Sequence, residues 1–352
     1  MITDLRLQNF RSYEDASFEF GPGVNIVVGP NASGKTNLLE ALLVLARGGS
    51  YRVSDQDLIS FDAPWARLDA HNSEGGLRTI KLVTEPKPTK TYEINERQYK
   101  RLSLQTSLPV VLFEPNDLQL LSGGPERRRN YLDDLLEQTT PGYGAIRRQY
   151  KRALAQRNAL LKQHGASDSQ LFPWNVRLSQ LAGQIVKARC LLLNRIAEEL
   201  SELYIALSKT ATKVTVSYST PLSVATYETS LLKKLEASIE LDRLRGFTAS
   251  GPHREDMELL FEGHSTSASA SRGETRTAVL ALKIIELRVL EAARGVTPLL
   301  LLDDVFSELD GKRRHALTDY LAAYQTFITT TDADVVVQHF AENCTVIALS
   351  GD

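Results

Sequence analysis

The chain has 352 residues, 42% hydrophobic and 24% charged, with a net charge of −2; this is globular composition, too long for most single cores, so two domains or one with a large insertion are expected. Its only cysteines, Cys190 and Cys344, are far apart without His or Cys at ligand spacing, which excludes a zinc site and a disulfide scaffold and suits a reducing cytosol. No apolar run approaches the roughly 20 residues of a membrane span, and MITDLRLQNF lacks the blocks of a signal peptide, so a cytoplasmic protein without membrane contact is expected.

In chain order, ITDLRLQNF and ASFEF alternate partly with period two and predict strands, closed by the turn Gly21-Pro22-Gly23. VNIVV (24–28) predicts a buried strand, and TNLLEALLVLA (36–46) carries the i, i+3, i+4 apolar spacing of a helix. Between them Gly29-Pro30-Asn31-Ala32-Ser33-Gly34-Lys35-Thr36 fits G-x-x-x-x-G-K-[ST]. Gly29 and Gly34 let the backbone turn so that N–H groups face phosphate oxygens. Lys35 is expected at the β- and γ-phosphates, and Thr36 at Mg²⁺. The helix N-terminus would add its partial positive charge. The plain alternative is a glycine turn before an amphipathic helix; strand and helix on both sides argue against it.

ARLDAH, LRTIKLV and KTYEI, separated by NSEGG and EPKPT, predict an antiparallel meander, and LPVVLF (108–113) a buried strand. From about residue 126 the pattern is helical. Between Pro141 and Arg189 nine basic residues face one acid, Asp168, so this segment carries +8 and the remainder −10. A solvated helical face normally mixes both signs, whereas a basic insertion in an acidic body suits nucleic acid. Arg147, Arg148, Lys151, Arg152 and Arg157 are the candidate DNA-binding residues. Leu171 to Leu207 repeat apolar residues every three or four positions and predict a long amphipathic helix. KVTVSY then predicts a strand, SLLKKLEASIELDRL a helix, TASGPHRED a loop, and ETRTAVLALKIIELRVLEAA another helix.

PLLLLDDVFSELD (298–310) predicts a buried strand ending in two carboxylates. Asp303 is expected in the Mg²⁺ shell with Thr36, and Asp304 on the attacking water. The alternative is an acidic strand end that caps the next helix. TFITTT and CTVIAL predict two last strands. Together these elements predict one α/β domain split by an insertion: an ATPase head over 1–112 and 247–352, and a mainly helical basic domain over 113–246.

Ala270-Ser271-Arg272-Gly273-Glu274 stands before a helix and resembles the L-S-G-G-Q signature of ABC-type ATPases, with SELD (307–310) as a D-loop. That resemblance implies that Ser271, with the helix-terminal amides around Gly273, reaches across a dimer to the partner's γ-phosphate. S-x-G-E is also a plain N-cap. Asp304 stands where most ABC proteins carry Glu, one methylene longer, so turnover is expected to be slow. No histidine follows TFITTT, leaving Thr329 or Thr330 in place of a switch residue, and Gln56 is the only guess for a Q-loop glutamine.

LRLQNFRSYEDASFEFGPGVNIVVGPNASGKTNLLEAL, FEPNDLQLLSGGPERRRNYLD, TASGPHRED and SRGETRTAVLALKIIEL with LLLLDDVFSELD resemble the RecF family, over essentially the whole chain. The resemblance implies an ABC-type, SMC/Rad50-like P-loop ATPase head with an inserted helical domain. It implies an ATP-dependent homodimer that clamps double-stranded DNA near single-strand gaps, hydrolyses ATP slowly, and works with RecR and RecO to place RecA. Asn31, Gly34, Lys35, Thr36 and Asn37 would then hold the phosphates, with Arg11 near the nucleotide. His253 and Arg254 in GPHRED are a structural turn or couple the nucleotide site to DNA or the dimer partner. Two other readings stay open: an ATP-gated scaffold without useful turnover, and an ABC transporter subunit.

Overall fold

Helix α1 (Lys35–Arg47) buries ten of its 13 residues, and a helix with this little solvent-facing surface needs cover on more than one side. In the computed structural model that cover is two sheets. The antiparallel one contains β1 (Ile2–Phe10), β2 (Tyr13–Glu19), β4 (Trp65–Asn72), β5 (Leu77–Val83), β6 (Thr89–Ile94) and β7 (Arg97–Tyr99), ordered β2-β1-β4-β5-β6-β7. The parallel one contains β3 (Val24–Val28), β8 (Val110–Phe113), β12 (Leu299–Asp303), β13 (Thr326–Thr330) and β14 (Cys344–Ala348), ordered β14-β3-β13-β12-β8. Leu38, Leu42 and Leu45 share one core with Leu5 and Leu68 of the first sheet and Leu301 and Phe327 of the second. In register, Asp303 lies beside Thr329, and Thr329 beside Val27. The loop leaving β3 and the carboxylate ending β12 therefore emerge at the same carboxyl edge, where open parallel sheets carry their ligands.

The structure describes residues 1–163, 165–266, 270–332, 336–337, 340 and 344–350. Contacts divide the chain into two units, Met1–Leu118 with Glu286–Asp352, and Gln119–Ile285. The second contains α2 (Pro125–Thr139), α3 (Tyr143–Lys162), α4 (Asp168–Ser208), β9 (Val214–Ser219), α5 (Tyr227–Ala237), α6 (Ile239–Arg245), β10 (Asp256–Phe261) and β11 (His264–Ser265). The expected single helix over SLLKKLEASIELDRL is two, parted at Ser238. Strand β10 was not foreseen. It pairs antiparallel with β9, which draws the residues after 246 into this unit. Its end at Ile285 falls inside α7 (Arg272–Arg294), later than the expected boundary at 246.

Polar pairs run through the interior of the second unit. Arg157 is fully buried and bonds Asp242 (2.8 Å), Asn175 (2.7 Å) and Thr248 (2.7 Å). Asp133 accepts from Tyr143 (2.6 Å) and Arg189 (3.0 Å). GPHRED and GGPERRR meet here as structure. Arg128 bonds Asp256 (2.7 Å), and Arg129 bonds the Glu255 carbonyl (3.0 Å). The Glu255 carboxylate accepts from Tyr218 (2.7 Å), Thr220 (2.8 Å) and Tyr227 (2.6 Å). Gly251 has φ +128°, and a Cβ there would stand 2.7 Å from the Tyr150 hydroxyl, so only glycine fits. His253 Nε2 lies 3.1 Å from the Thr248 carbonyl, which can only accept, so Nε2 carries the proton and Nδ1 accepts from Tyr150 at 2.7 Å.

Replacing Arg157 with Met strands Asp242 in the interior and is expected to cost about 3–5 kcal/mol, measured by urea unfolding against Arg148→Met, which should cost little. Burial, with the charges of Arg254, Arg129 and Arg189, lowers the His253 pKa to about 4 against the Thr248 bond that raises it. The ring is thus neutral in the fold and titrates near 6.5 only when unfolded. Its contribution to stability is complete above about pH 6.5 and is lost as pH falls toward 4. Imidazole ¹H–¹⁵N spectra should show His253 neutral from about pH 8 to 5; a midpoint near 6.5 would mean a solvated ring.

Candidate functional site

The loop 29–34 closes on Gly34, whose φ is +93° and where a Cβ would stand 2.8 Å from the Tyr13 hydroxyl; glycine is required by both conformation and space. The Gly34 carbonyl accepts from Tyr13 (3.0 Å), which ties the loop to β2. No side chain caps α1, so its first N–H groups remain available to a phosphate. Lys35 Nζ is held by the loop's own carbonyls, Gly29 and Pro30, each at 2.7 Å. Asn31 is exposed at the loop tip, and Asn37 Nδ2 donates to Ser12 Oγ (2.9 Å).

Asp303 is the node of the site. Its carboxylate is buried and accepts from Thr36 Oγ1 (2.9 Å), Thr329 Oγ1 (2.9 Å) and Arg52 Nη2 (3.0 Å). A hydroxyl and a carboxylate in contact are hard oxygen donors that fit Mg²⁺, which keeps its other positions for phosphate and water. Thr329 is the threonine that reaches this centre; its hydroxyl also accepts from the Asp304 backbone N–H (2.9 Å). Asp304 is exposed and left-handed, φ +55°, at the start of α8 (Val305–Glu308). Asp310 in SELD caps α9 (Gly311–Leu321), accepting from Arg313 N (3.0 Å).

Ser271 is exposed at the N-terminus of α7, with Gly273 in its first turn. The Ser271 N–H donates to Glu274 Oε2 (2.8 Å) and the Glu274 N–H to Ser271 Oγ (3.2 Å), a capping box. The Ser271 backbone donor holds the Glu274 carboxyl below the usual range. The Ser271 hydroxyl acts on the same carboxylate in the same direction, so the N-cap geometry is present and local to this turn. Residues 267–269 of this stretch lie outside the described ones.

The basic helices correct two of the five DNA candidates. Arg157 is interior, as above. Arg147 is mostly buried against Asp133 (3.1 Å) and Glu137 (3.1 Å) of α2. Their partners come from other helices, so a count within residues 141–189 could not see them. Arg148, Lys151 and Arg152 are exposed at i, i+3 and i+4 on one face of α3.

A profile of the RecF/RecN/SMC N terminal domain family matches residues 1–350. The DNA replication and repair protein RecF of Acetivibrio thermocellus is 32% identical, over 97% of this chain and 96% of its own. That of Acaryochloris marina is 35% identical over 94% and 92%. The chain belongs to the RecF family. Its fold is the ABC-type ATPase fold of RecF and SMC heads. A solved recombination mediator protein RecF-ATPrS of the RecFOR pathway superposes with TM-score 0.88 at 30% identity, over 99% of this chain and 97% of that one. An Smc head bound to a winged-helix domain of ScpA gives 0.52 at 16%, a likeness of fold alone.

Within this RecF-family head, sequence reasoning missed Arg52 and Glu114. Arg52 bridges Asp303 and Glu114 (3.3 Å). Its loop is held by Ser50, whose hydroxyl donates to Glu40 Oε1 (2.5 Å) and accepts from Arg52 N (2.9 Å). Glu40 is buried, and its other oxygen takes Arg11 Nε (2.7 Å). Arg11 also donates to the Asp57 carbonyl (3.0 Å). A lone carboxylate inside the apolar α1 pattern was the available signal, since a buried charge needs partners. Among the described residues Gln56 makes no hydrogen bond to Asp303; with Arg11, Asn37 and the exposed Phe61 it lines a cavity of about 600 Å³.

Proposed function

We propose that this chain is an ATP-dependent DNA-binding clamp with slow ATPase activity, acting in repair of single-strand gaps and stalled forks and, with RecO and RecR, in loading RecA. The observation that carries this reading is the contact of Thr36 and Thr329 with Asp303 beside Lys35. The family relation to DNA replication and repair proteins RecF, and to RecF-ATP of the RecFOR pathway, supports it.

Lys35 and the N–H groups at the start of α1 bind the β- and γ-phosphates of ATP, assisted by Asn31, Gly34 and Asn37. Thr36 and Asp303 would hold Mg²⁺, which when bound neutralises phosphate charge. Asp304 orients the attacking water; its short side chain suits slow turnover. Two copies enclose the nucleotides, each lending Ser271 and the amides near Gly273 to the other's γ-phosphate. Arg148, Lys151 and Arg152 meet the backbone of double-stranded DNA, a sequence-independent contact that weakens steeply with salt.

Fluorescence anisotropy of a labelled duplex should show tight binding with ATP, weak binding with ADP, and loss in Lys35→Met and Ser271→Arg. Equal binding in both nucleotides would separate the DNA surface from the ATP site. Asp304→Asn should keep ATP-dependent DNA binding while lowering turnover about 10²-fold or more in a phosphate-release assay; unchanged turnover would remove Asp304 from the chemistry.

A further inference from the structure

Within the second unit, α2, α3, α4 and the GPHRED loop surround a cavity of about 240 Å³. Four cations line it, Arg129, Arg147, Lys151 and Arg189, against two carboxylates, Glu126 and Asp133. Asp133 is already engaged by Arg189 and Tyr143, and Glu126 is exposed. His253 is neutral there, so the lining keeps an excess of positive charge.

Its donors are not all used. Arg147 Nε is buried 3.1 Å from Asp133 but out of line for a hydrogen bond, and has no acceptor among the described residues. Arg129 uses Nη1 on the Glu255 carbonyl, leaving Nε and Nη2 without an acceptor among the described residues. Lys151 is exposed, with no partner among the described residues. A buried N–H left unpaired is costly, and an acceptor that reaches it recovers that cost. Arg129 on one helix, with Arg147 and Lys151 a turn apart on another, suits an acceptor with three or more oxygens. A planar carboxylate has two.

We propose that this cavity is a phosphate site, taking a tetrahedral oxyanion either as the free ion or as a phosphate of the nucleic-acid backbone. It shares no residue with the P-loop and does not rest on ATP hydrolysis. The oxyanion accepts from Arg147 Nε and from Arg129 and Lys151, while Arg189 supplies charge with its own donors committed.

The test is calorimetric titration of the full chain with inorganic phosphate at low ionic strength, in a Lys35→Met background that removes the P-loop's phosphate ligand. Phosphate should bind. Adding Lys151→Ala should weaken it at least about tenfold, and Lys162→Ala, on the same helix but outside the cavity lining, less than about twofold. Absent binding, or equal weakening by the two variants, would overturn the site. With the first result in hand, the competition is run on the Asp304→Asn chain with saturating ATP, which fills the P-loop and keeps duplex binding: a duplex oligonucleotide that displaces phosphate identifies the backbone as the source, and simultaneous binding identifies a free anion; both uphold the cavity.

Discussion

The burial of one carboxylate, Asp303, governs the first unit. A charge taken out of water must be matched by donors or it destabilises the fold. Here they come from three separate elements: Thr36 on α1 and Arg52 just after it, both far from Asp303 in the chain, and Thr329 on β13. They converge only because β12, β13 and β3 lie side by side in one register. A slip of one residue would turn every side chain of β12 to the other face. The apolar run Leu299–Leu302 that buries this strand and the polar group that ends it are therefore parts of one constraint, and the sandwich around α1 holds it.

The second unit solves the same problem repeatedly. Asp133, Asp242 and Glu255 are buried, and each is answered by Arg or Tyr from another element. Such pairs add little net stability over apolar packing, but removing one member is costly. That asymmetry accounts for GGPERRR and GPHRED without any reacting group: they are two halves of one hydrogen-bonded interior, joined by Arg128–Asp256 and Arg129–Glu255.

Much of the frame was legible in the chain. The meander β4 to β6, the strands at 24–28 and 299–303, the long helix α4 and the P-loop all follow from local periodicity and turn chemistry, which depend on near neighbours in sequence. The split at Ser238 and the strand β10 were not legible. Both are settled by pairing with distant partners, β9 for the strand. Arg157 shows the same limit for function. Its charge was counted correctly, but whether that charge faces water or Asp242 depends on helices 85 residues apart.

The sequence by itself determined that a loop of the G-x-x-x-x-G-K-[ST] pattern stands between a buried strand and a helix, and that a buried strand ends in Asp303 and Asp304, because these are patterns of adjacent residues. Tertiary structure alone decided that Arg52 joins Asp303, that Glu40 holds Arg11 and Ser50, and which basic side chains remain at the surface. The physical reason is that burial and charge pairing are properties of space, and elements distant along the chain meet only when the whole sheet and helix packing is complete.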